Sequence, residues 1–87
     1  MVSKLTKVIN EMGFHMRPAN VFVTAMTKYT SNINIIVGDK KINGKSIMNI
    51  MAACIKCGTE ITVECDGADE QAMLDEAIAL IESGFGE

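Results

Sequence analysis

Two apolar stripes of helical period, separated by short alternating segments, constrain the fold of this chain more than any other feature. In each stripe, apolar residues recur at i, i+3, i+4 and i+7 (or the equivalent positions on one face), which predicts an amphipathic helix. The first helix is predicted from Met16 to about Lys28, with Pro18 in its first turn, and the second lies near the C terminus. The stripes consist of Ala19, Phe22, Val23 and Met26, and of Leu74, Ala77, Ile78 and Ile81.

Outside these stripes, apolar and polar residues alternate, as in strands that bury one face. Such segments lie at positions 2–8, 33–37 and 61–65, and a Gly-Asp turn at 38–39 predicts a hairpin partner at 40–43. A third, short helix is predicted after Ser46, because a serine directly before a periodic apolar stretch is a typical N-cap. Its apolar stripe includes Ile47, Ile50, Met51 and Cys54, whereas Met48 lies off it.

The order strand, helix, strand, strand, short helix, strand, helix predicts an α+β fold. We expect one domain over residues 1–87, with helices covering one face of a mostly antiparallel sheet. A chain of 87 residues buries about 60–65% of its unfolded surface. Because only 5% of the residues are aromatic, the core must be aliphatic and rich in methionine.

Charge and hydropathy exclude several classes of function. The net charge of −3 disfavours direct nucleic-acid binding, which needs a basic surface. No apolar run reaches the length of a membrane span, and the N terminus lacks the apolar core of a signal peptide, so a cytoplasmic location is expected. Residues 1–45 carry seven of the eight basic groups, whereas residues 46–87 carry nine of the eleven acidic ones. This asymmetry predicts either a basic face for an acidic partner or simply a solvated acidic helix.

The only histidine of the chain, His15, lies directly before the first predicted helix. The amide groups and the dipole at a helix N terminus bind anions, and the guanidinium of Arg17 suits phosphate oxygens. A neutral imidazole at this place is a nucleophile for a phosphoryl group. The alternative is an ordinary polar residue in a surface loop.

Three separated motifs resemble the HPr family, the histidine-containing phosphocarriers of the bacterial phosphoenolpyruvate-dependent sugar phosphotransferase system. They are Gly-Phe-His-Met-Arg-Pro-Ala at positions 13–19, Asn-Gly-Lys-Ser-Ile-Met-Asn-Ile-Met at 43–51, and the C-terminal segments at 66–70 and 84–87. The resemblance runs in register along essentially the whole chain. It implies an open-faced β-sandwich, in which three helices cover one face of a four-stranded antiparallel sheet.

The resemblance also implies a role for individual residues. His15 would accept phosphate on Nδ1 from phosphorylated enzyme I and pass it to the IIA domains of sugar permeases, while Arg17 would steady the phosphoryl group. Partner docking is expected at Met16, Asn20, Ile47, Met48 and Met51. Met16 and Asn20 depart from the alanine and threonine that are more usual in the family, which bears on partner preference. Lys45 and Lys28 are expected to extend a positive rim around His15 and Arg17. No cofactor or metal is expected, and the chain is expected to be a monomer.

Ser46 has two compatible interpretations. Its hydroxyl is an N-cap worth about 1 kcal/mol to the short helix. The resemblance adds phosphorylation by an HPr kinase/phosphorylase, which would place an anion within the docking surface and would allow binding to a regulator of carbon catabolite repression. A mainly regulatory module, or the carrier of the nitrogen-linked phosphotransferase chain, therefore remains an alternative.

Cys54 and Cys57 form a C-x-x-C pair, which on its own would fit a redox pair or half of a zinc site. Zinc normally takes four ligands, and Cys65 and His15 do not lie at zinc-finger spacing. The favoured interpretation is therefore reduced, half-buried cysteines without a function of their own.

Overall fold

The computed structural model describes residues 1–86 as a four-stranded antiparallel sheet with three helices packed on one face. The strands are β1 (Val2–Lys7), β2 (Asn32–Val37), β3 (Lys40–Asn43) and β4 (Glu60–Asp66), in the spatial order β1-β4-β2-β3. The helices are α1 (Met16–Met26), α2 (Ile47–Ala53) and α3 (Glu70–Glu82), and a short 3₁₀ turn, Gly84–Gly86, follows α3. The predicted α+β open-faced sandwich is confirmed. Glu87, the last residue of the C-terminal motif, lies outside the described residues.

The sheet buries one face because its strands are paired so that the apolar residues line up across it. Ile35 of β2 lies opposite Val63 of β4 on one side and Ile42 of β3 on the other, and all three are buried. The intervening residues, such as Asn34 and its partner Glu64, lie on the opposite, uncovered face. A shift of one residue in any strand would exchange these two faces, so the alternating pattern fixes the register.

Each of the two predicted stripes is the face through which its helix, α1 or α3, packs on this core. All eight stripe residues are buried, and Met73 is buried beside the second stripe. Helix α1 ends at Met26, two residues earlier than predicted, with Thr27 as its C-cap. Among the described residues, no helix is long and apolar enough to cross a membrane.

The short helix α2 corrects part of the sequence prediction. Ser46 is the N-cap, as expected, and Ile50 is fully buried. Cys54, however, does not continue the apolar stripe. It follows the last turn of α2 with a left-handed backbone (φ 53°), and both Cys54 and Cys57 are exposed rather than half-buried. The stripe fails because the helix ends at Ala53, so that helical periodicity no longer determines which side of the chain is buried.

Asp69 joins the start of α3 to the segment that leads into β2. Its carboxylate accepts hydrogen bonds from the backbone amides of Thr30 (3.0 Å) and Ser31 (2.9 Å), and from the hydroxyl of Ser31. The hydrogen bond from the Ser31 hydroxyl, followed by the bond from the Thr30 amide, lowers the pKa of Asp69 to about 2. From the sequence alone, an acidic residue at this place only adds a favourable charge at a helix N terminus. The structure adds a connection between residues that are far apart in sequence.

The Asp69 carboxylate should make the stability of the wild-type chain depend on pH in a defined range, and replacing it should remove that dependence. The ionised form of Asp69 stabilises the fold above its ordinary pKa of 3.8, and this contribution disappears as the pH falls through about 2. We therefore expect the Asp69→Asn variant to melt below the wild type at pH 7, with the gap narrowing from pH 4 to pH 2. Thermal unfolding followed by circular dichroism measures this gap.

Asp39→Asn is the matched control, because Asp39 is an exposed aspartate in the hairpin turn and its replacement removes the same charge. Its melting point should stay close to that of the wild type throughout. A gap for Asp69→Asn that remains constant down to pH 2 would contradict the assigned role of the carboxylate.

Candidate functional site

His15 is the N-cap residue of α1, with an extended backbone (φ −83°, ψ −173°). Its carbonyl oxygen accepts the first hydrogen bond of the helix, from the amide of Ala19 at 3.0 Å. The side chain is half-buried. The amides that follow in the first turn have no acceptor within a helix, so this end of α1 offers hydrogen-bond donors to an anion next to the imidazole.

The two residues before His15 fix its position against the loop that follows α2. The Phe14 amide donates a hydrogen bond to the carbonyl oxygen of Ile55 at 2.9 Å. Gly13 has a left-handed backbone (φ 67°), and a Cβ atom on it would lie 2.4 Å from the same oxygen. Only glycine fits at this close approach of two backbones. The Asn10 side-chain amide donates to the carbonyl oxygen of Gly13 and thereby closes the loop.

The Phe14 side chain anchors the same loop to the core. Its ring centroid lies 5.5 Å from that of Phe22 on α1 and 4.7 Å from that of Phe85 in the C-terminal 3₁₀ turn. These are the only three phenylalanines of the chain, and all are buried. Edge-on and tilted aromatic pairs at such distances stabilise by about 0.5–1.5 kcal/mol beyond the area they bury. The residue next to His15 is therefore held by both its backbone and its side chain.

The remaining predicted site residues lie on α1 and α2, which pack against each other. Arg17, Met16 and Asn20 are exposed on α1. Met48 on α2 is 81% exposed, which confirms its predicted position off the apolar stripe. Ile47 and Met51 are only partly buried against the core. The structure therefore provides apolar, accessible side chains on both helices.

Two exposed apolar residues beside His15 were missed by the sequence analysis. Ile9 (54% exposed) and Met12 (71% exposed) line an open pocket of about 490 Å³ together with the His15 side chain. Both lie in the irregular segment between β1 and α1, where no periodicity distinguishes an inward from an outward position. The only available signal was an apolar residue on each side of the polar pair at positions 10–11.

The predicted positive rim is smaller than expected. The Lys28 ammonium lies 2.7 Å from a carboxylate oxygen of Glu76, to which the Tyr29 hydroxyl also donates a hydrogen bond. That bond raises the pKa of Tyr29 to about 12. Lys45 donates to the backbone carbonyl oxygen of Tyr29 at 2.8 Å. The charge of Lys28 is therefore partly neutralised by an acid of α3. Arg17, which is exposed and lies two residues after His15, is the main cation left for the predicted rim.

Comparison of the chain with known proteins assigns it to a family. The family model described as "PTS HPr component phosphorylation site" matches residues 2–83. The chain is 43% identical to the phosphocarrier protein HPr of Mycoplasma capricolum, over 88% of this chain and 97% of that protein. It is 37% identical to the HPr of Treponema pallidum, over 100% of this chain and 99% of that protein.

The chain belongs to the HPr family.

The crystal structure of an HPr from Thermoanaerobacter tengcongensis supports the same assignment, with a TM-score of 0.96 at 37% identity and coverage of 100% of this chain and 98% of that one. The HPr-like protein Crh of Bacillus subtilis is a further relative, 35% identical over 94% of this chain and 96% of that protein. The family matched by this chain therefore includes phosphocarriers of the phosphotransferase system as well as Crh-type proteins.

Ser46, at the start of α2, lies in the second motif of the HPr resemblance. Its hydroxyl oxygen accepts a hydrogen bond from the Asn49 amide at 3.3 Å, which is the expected N-cap contact. The side chain is only half-buried. Capping and access by another protein are thus compatible at this residue.

The close approach at Gly13 predicts a specific cost for adding a methyl group. Gly13→Ala should lower the free energy of unfolding by about 1–2 kcal/mol for the left-handed backbone and by a further 1–3 kcal/mol or so for overpacking against Ile55. Gly38→Ala is a matched control, because Gly38 has a similar φ of 61° but nothing within 4 Å of the added atom. It should show the first cost alone.

Urea unfolding of the two variants measures both costs. Equal destabilisation of Gly13→Ala and Gly38→Ala would contradict the tight packing of the His15 loop on the loop after α2.

Proposed function

We propose that this chain is a phosphoryl carrier that accepts phosphate on His15 from phosphorylated enzyme I and passes it to the IIA domains of sugar permeases. The observation that carries the proposal is the position of the single histidine. It caps a helix N terminus within the segment matched by the HPr phosphorylation-site model and is followed by an exposed Arg17.

The proposed transfer needs only one nucleophile from this chain. A nitrogen of the His15 ring, Nδ1 by family resemblance, attacks the phosphorus of the phosphoryl group on enzyme I. The bond between phosphorus and the donor atom of enzyme I breaks, its electron pair stays on that atom, and the His15 ring keeps its proton on the other nitrogen. The Arg17 guanidinium and the amides at the start of α1 are placed to stabilise the negative oxygens during the transfer. In the second transfer, a nucleophile of the IIA domain attacks the phosphorus, the N–P bond to His15 breaks, and its electron pair returns to the His15 ring.

Partner docking is proposed on the exposed faces of α1, which begins directly after His15, and of α2, which packs against α1. Met16, Met48 and Asn20 are exposed there, and Ile47 and Met51 add partly accessible apolar surface. Methionine side chains are flexible and polarisable, so one surface of this kind can fit several partners. We propose that the chain acts in this way in the cytoplasm and as a monomer.

Phosphorylation by enzyme I and phosphoenolpyruvate tests the main proposal. The wild type should incorporate one acid-labile phosphate, and His15→Ala should incorporate none, because the chain has no other histidine. Arg17→Ala should slow incorporation by about 100-fold, as expected for loss of a charge-stabilising donor. Lys40→Ala, which removes an exposed cation of β3, should leave the rate unchanged.

Labelling that persists in His15→Ala, or that stays absent in the folded wild type with every enzyme I tried, contradicts the proposal. Comparing sugar-type with nitrogen-type enzyme I in the same assay identifies the branch, since the cognate donor should react faster.

A regulatory function is the second candidate, and the half-buried Ser46 hydroxyl at the N terminus of α2 favours it. A phosphate on this oxygen would be tolerated by the helix dipole. It would also bring negative charge next to Met48 and would repel acidic partners. We propose that an HPr kinase/phosphorylase adds this phosphate and that the modified chain then binds a catabolite-control regulator.

The charge effect can be tested without the kinase. Ser46→Asp should retain the cap and slow phosphorylation of His15 by enzyme I about tenfold, because like charges across an interface oppose encounter. Ser46→Ala should leave the rate within about twofold while lowering the stability by about 1 kcal/mol. Equal rates for Ser46→Asp and the wild type would contradict a regulatory role through docking.

A further inference from the structure

The two exposed cysteines differ from the third in their surroundings. Cys54 and Cys57 are exposed in the loop between α2 and β4, whereas Cys65 is buried within β4. Burial, followed by the charge of Glu70, raises the pKa of the Cys65 thiol to about 11. Since the thiolate is the reactive form of cysteine, Cys65 is protected from oxidants and the other two are accessible to them.

The loop that carries the pair contains two residues with a positive φ. Cys54 has a left-handed backbone (φ 53°) directly after α2, and Gly58 has φ 87° just before β4. Between the two cysteines, only Ile55 is buried in the core. The Cys54 sulfur lies 3.8 Å from the Met51 carbonyl oxygen and the Cys57 sulfur 3.6 Å from the Ile9 carbonyl oxygen. Both are weak contacts that can be given up at small cost.

This loop also supports the segment that ends at His15. The Gly58 amide donates to the Val8 carbonyl oxygen at 2.7 Å, and the Phe14 amide donates to the Ile55 carbonyl oxygen at 2.9 Å. The Cys57 sulfur contacts the carbonyl of Ile9 in the same segment. The peptide whose carbonyl holds Phe14 thus lies between the two cysteines in sequence.

We propose that Cys54 and Cys57 form a thiol–disulfide site, which low-molecular-weight disulfides oxidise to an intramolecular bridge and which loosens the support of the His15 loop. The thiolate of one cysteine attacks the external disulfide, releases one reduced thiol and forms a mixed disulfide. The second thiolate then attacks the protein sulfur of that intermediate and releases the second thiol. The two protein thiols lose two electrons and two protons, and the external disulfide is reduced to two thiols.

Closing the bridge requires both sulfurs to leave their present contacts. A disulfide needs Cα atoms about 4.4–6.8 Å apart and a defined dihedral angle, so a bridge would constrain the backbone of the Cys54–Cys57 loop. We expect the bridged Cys57 to give up its contact with the Ile9 carbonyl, and the new ring around the Ile55 carbonyl to weaken its hydrogen bond from the Phe14 amide. The oxidised chain should therefore hold His15 less firmly than the reduced chain.

Mass spectrometry after incubation with glutathione disulfide tests the chemistry without any phosphotransfer partner. The native wild type and the Cys65→Ser variant should lose two hydrogens and carry no adduct, and dithiothreitol should reverse this change. Cys57→Ser and Cys54→Ser should instead stop at one glutathione adduct. A stable adduct on the wild type, a disulfide-linked dimer, or full retention of both thiols would overturn the proposal.

Two measurements test the coupling to His15. Amide hydrogen exchange at Phe14 should be faster in the oxidised than in the reduced wild type and unaffected in the Cys54→Ser/Cys57→Ser variant. The rate of His15 phosphorylation, which rests on the proposed function, should fall about tenfold on oxidation, since a displacement of about 1 Å costs up to about 100-fold. The double variant should show no change.

The outcomes separate the two proposals. If reduced and oxidised chains both fail to accept phosphate while Phe14 exchange still rises on oxidation, the carrier function is wrong and the coupled thiol site stands. Unchanged exchange at Phe14 in the fully oxidised chain overturns the coupling.

Discussion

The contact between the Phe14 amide and the Ile55 carbonyl determines where the candidate site lies. It joins the segment before α1 to the loop after α2, and these two segments are about forty residues apart in sequence. A backbone hydrogen bond of this kind contributes only about 0.5–1.5 kcal/mol by itself. Its importance lies in the close approach that it requires, which admits no side chain at Gly13, and in the Phe14 ring packed on Phe22 and Phe85. His15 follows directly, so its position is inherited from the core.

The fold could be predicted from the sequence wherever periodicity connects a residue to a buried face. The stripes of α1 and α3 and the alternation of β2 and β4 fix both the elements and their orientation, and the structure agrees with them. Prediction failed where the chain leaves regular structure. Cys54 was placed on a stripe that the helix no longer continues, and Met12 lies in a loop without any period. In such segments, burial is decided by distant neighbours, which a single sequence does not display.

The charged residues show the same limit of sequence-based prediction: their distribution along the chain can be read from the sequence, but their distant partners cannot. The concentration of acids in the second half of the chain was visible in the sequence, but its two possible meanings could not be separated. In the structure, Asp69 holds the segment before β2, and Glu76 pairs with Lys28 and accepts the Tyr29 hydroxyl. Asp69, the N-cap of α3, and Glu76, within α3, therefore connect the middle of the chain to the C-terminal helix. Part of the acidic excess is structural, and part of the basic excess is neutralised by it.

The methionines of this chain occupy both the core and the exposed surface. Met26 and Met73 are completely buried, whereas Met16 and Met48 are among the most exposed residues of their helices. The two groups cannot be distinguished by residue type, because the flexible thioether that fills an irregular core also adapts to different partners. In α1, position along the helix separates them, since Met26 is the last residue of the buried stripe whereas Met16 is the first residue of the helix, next to His15. A chain with so few aromatic residues thus uses the same side chain for packing and for the proposed docking surface.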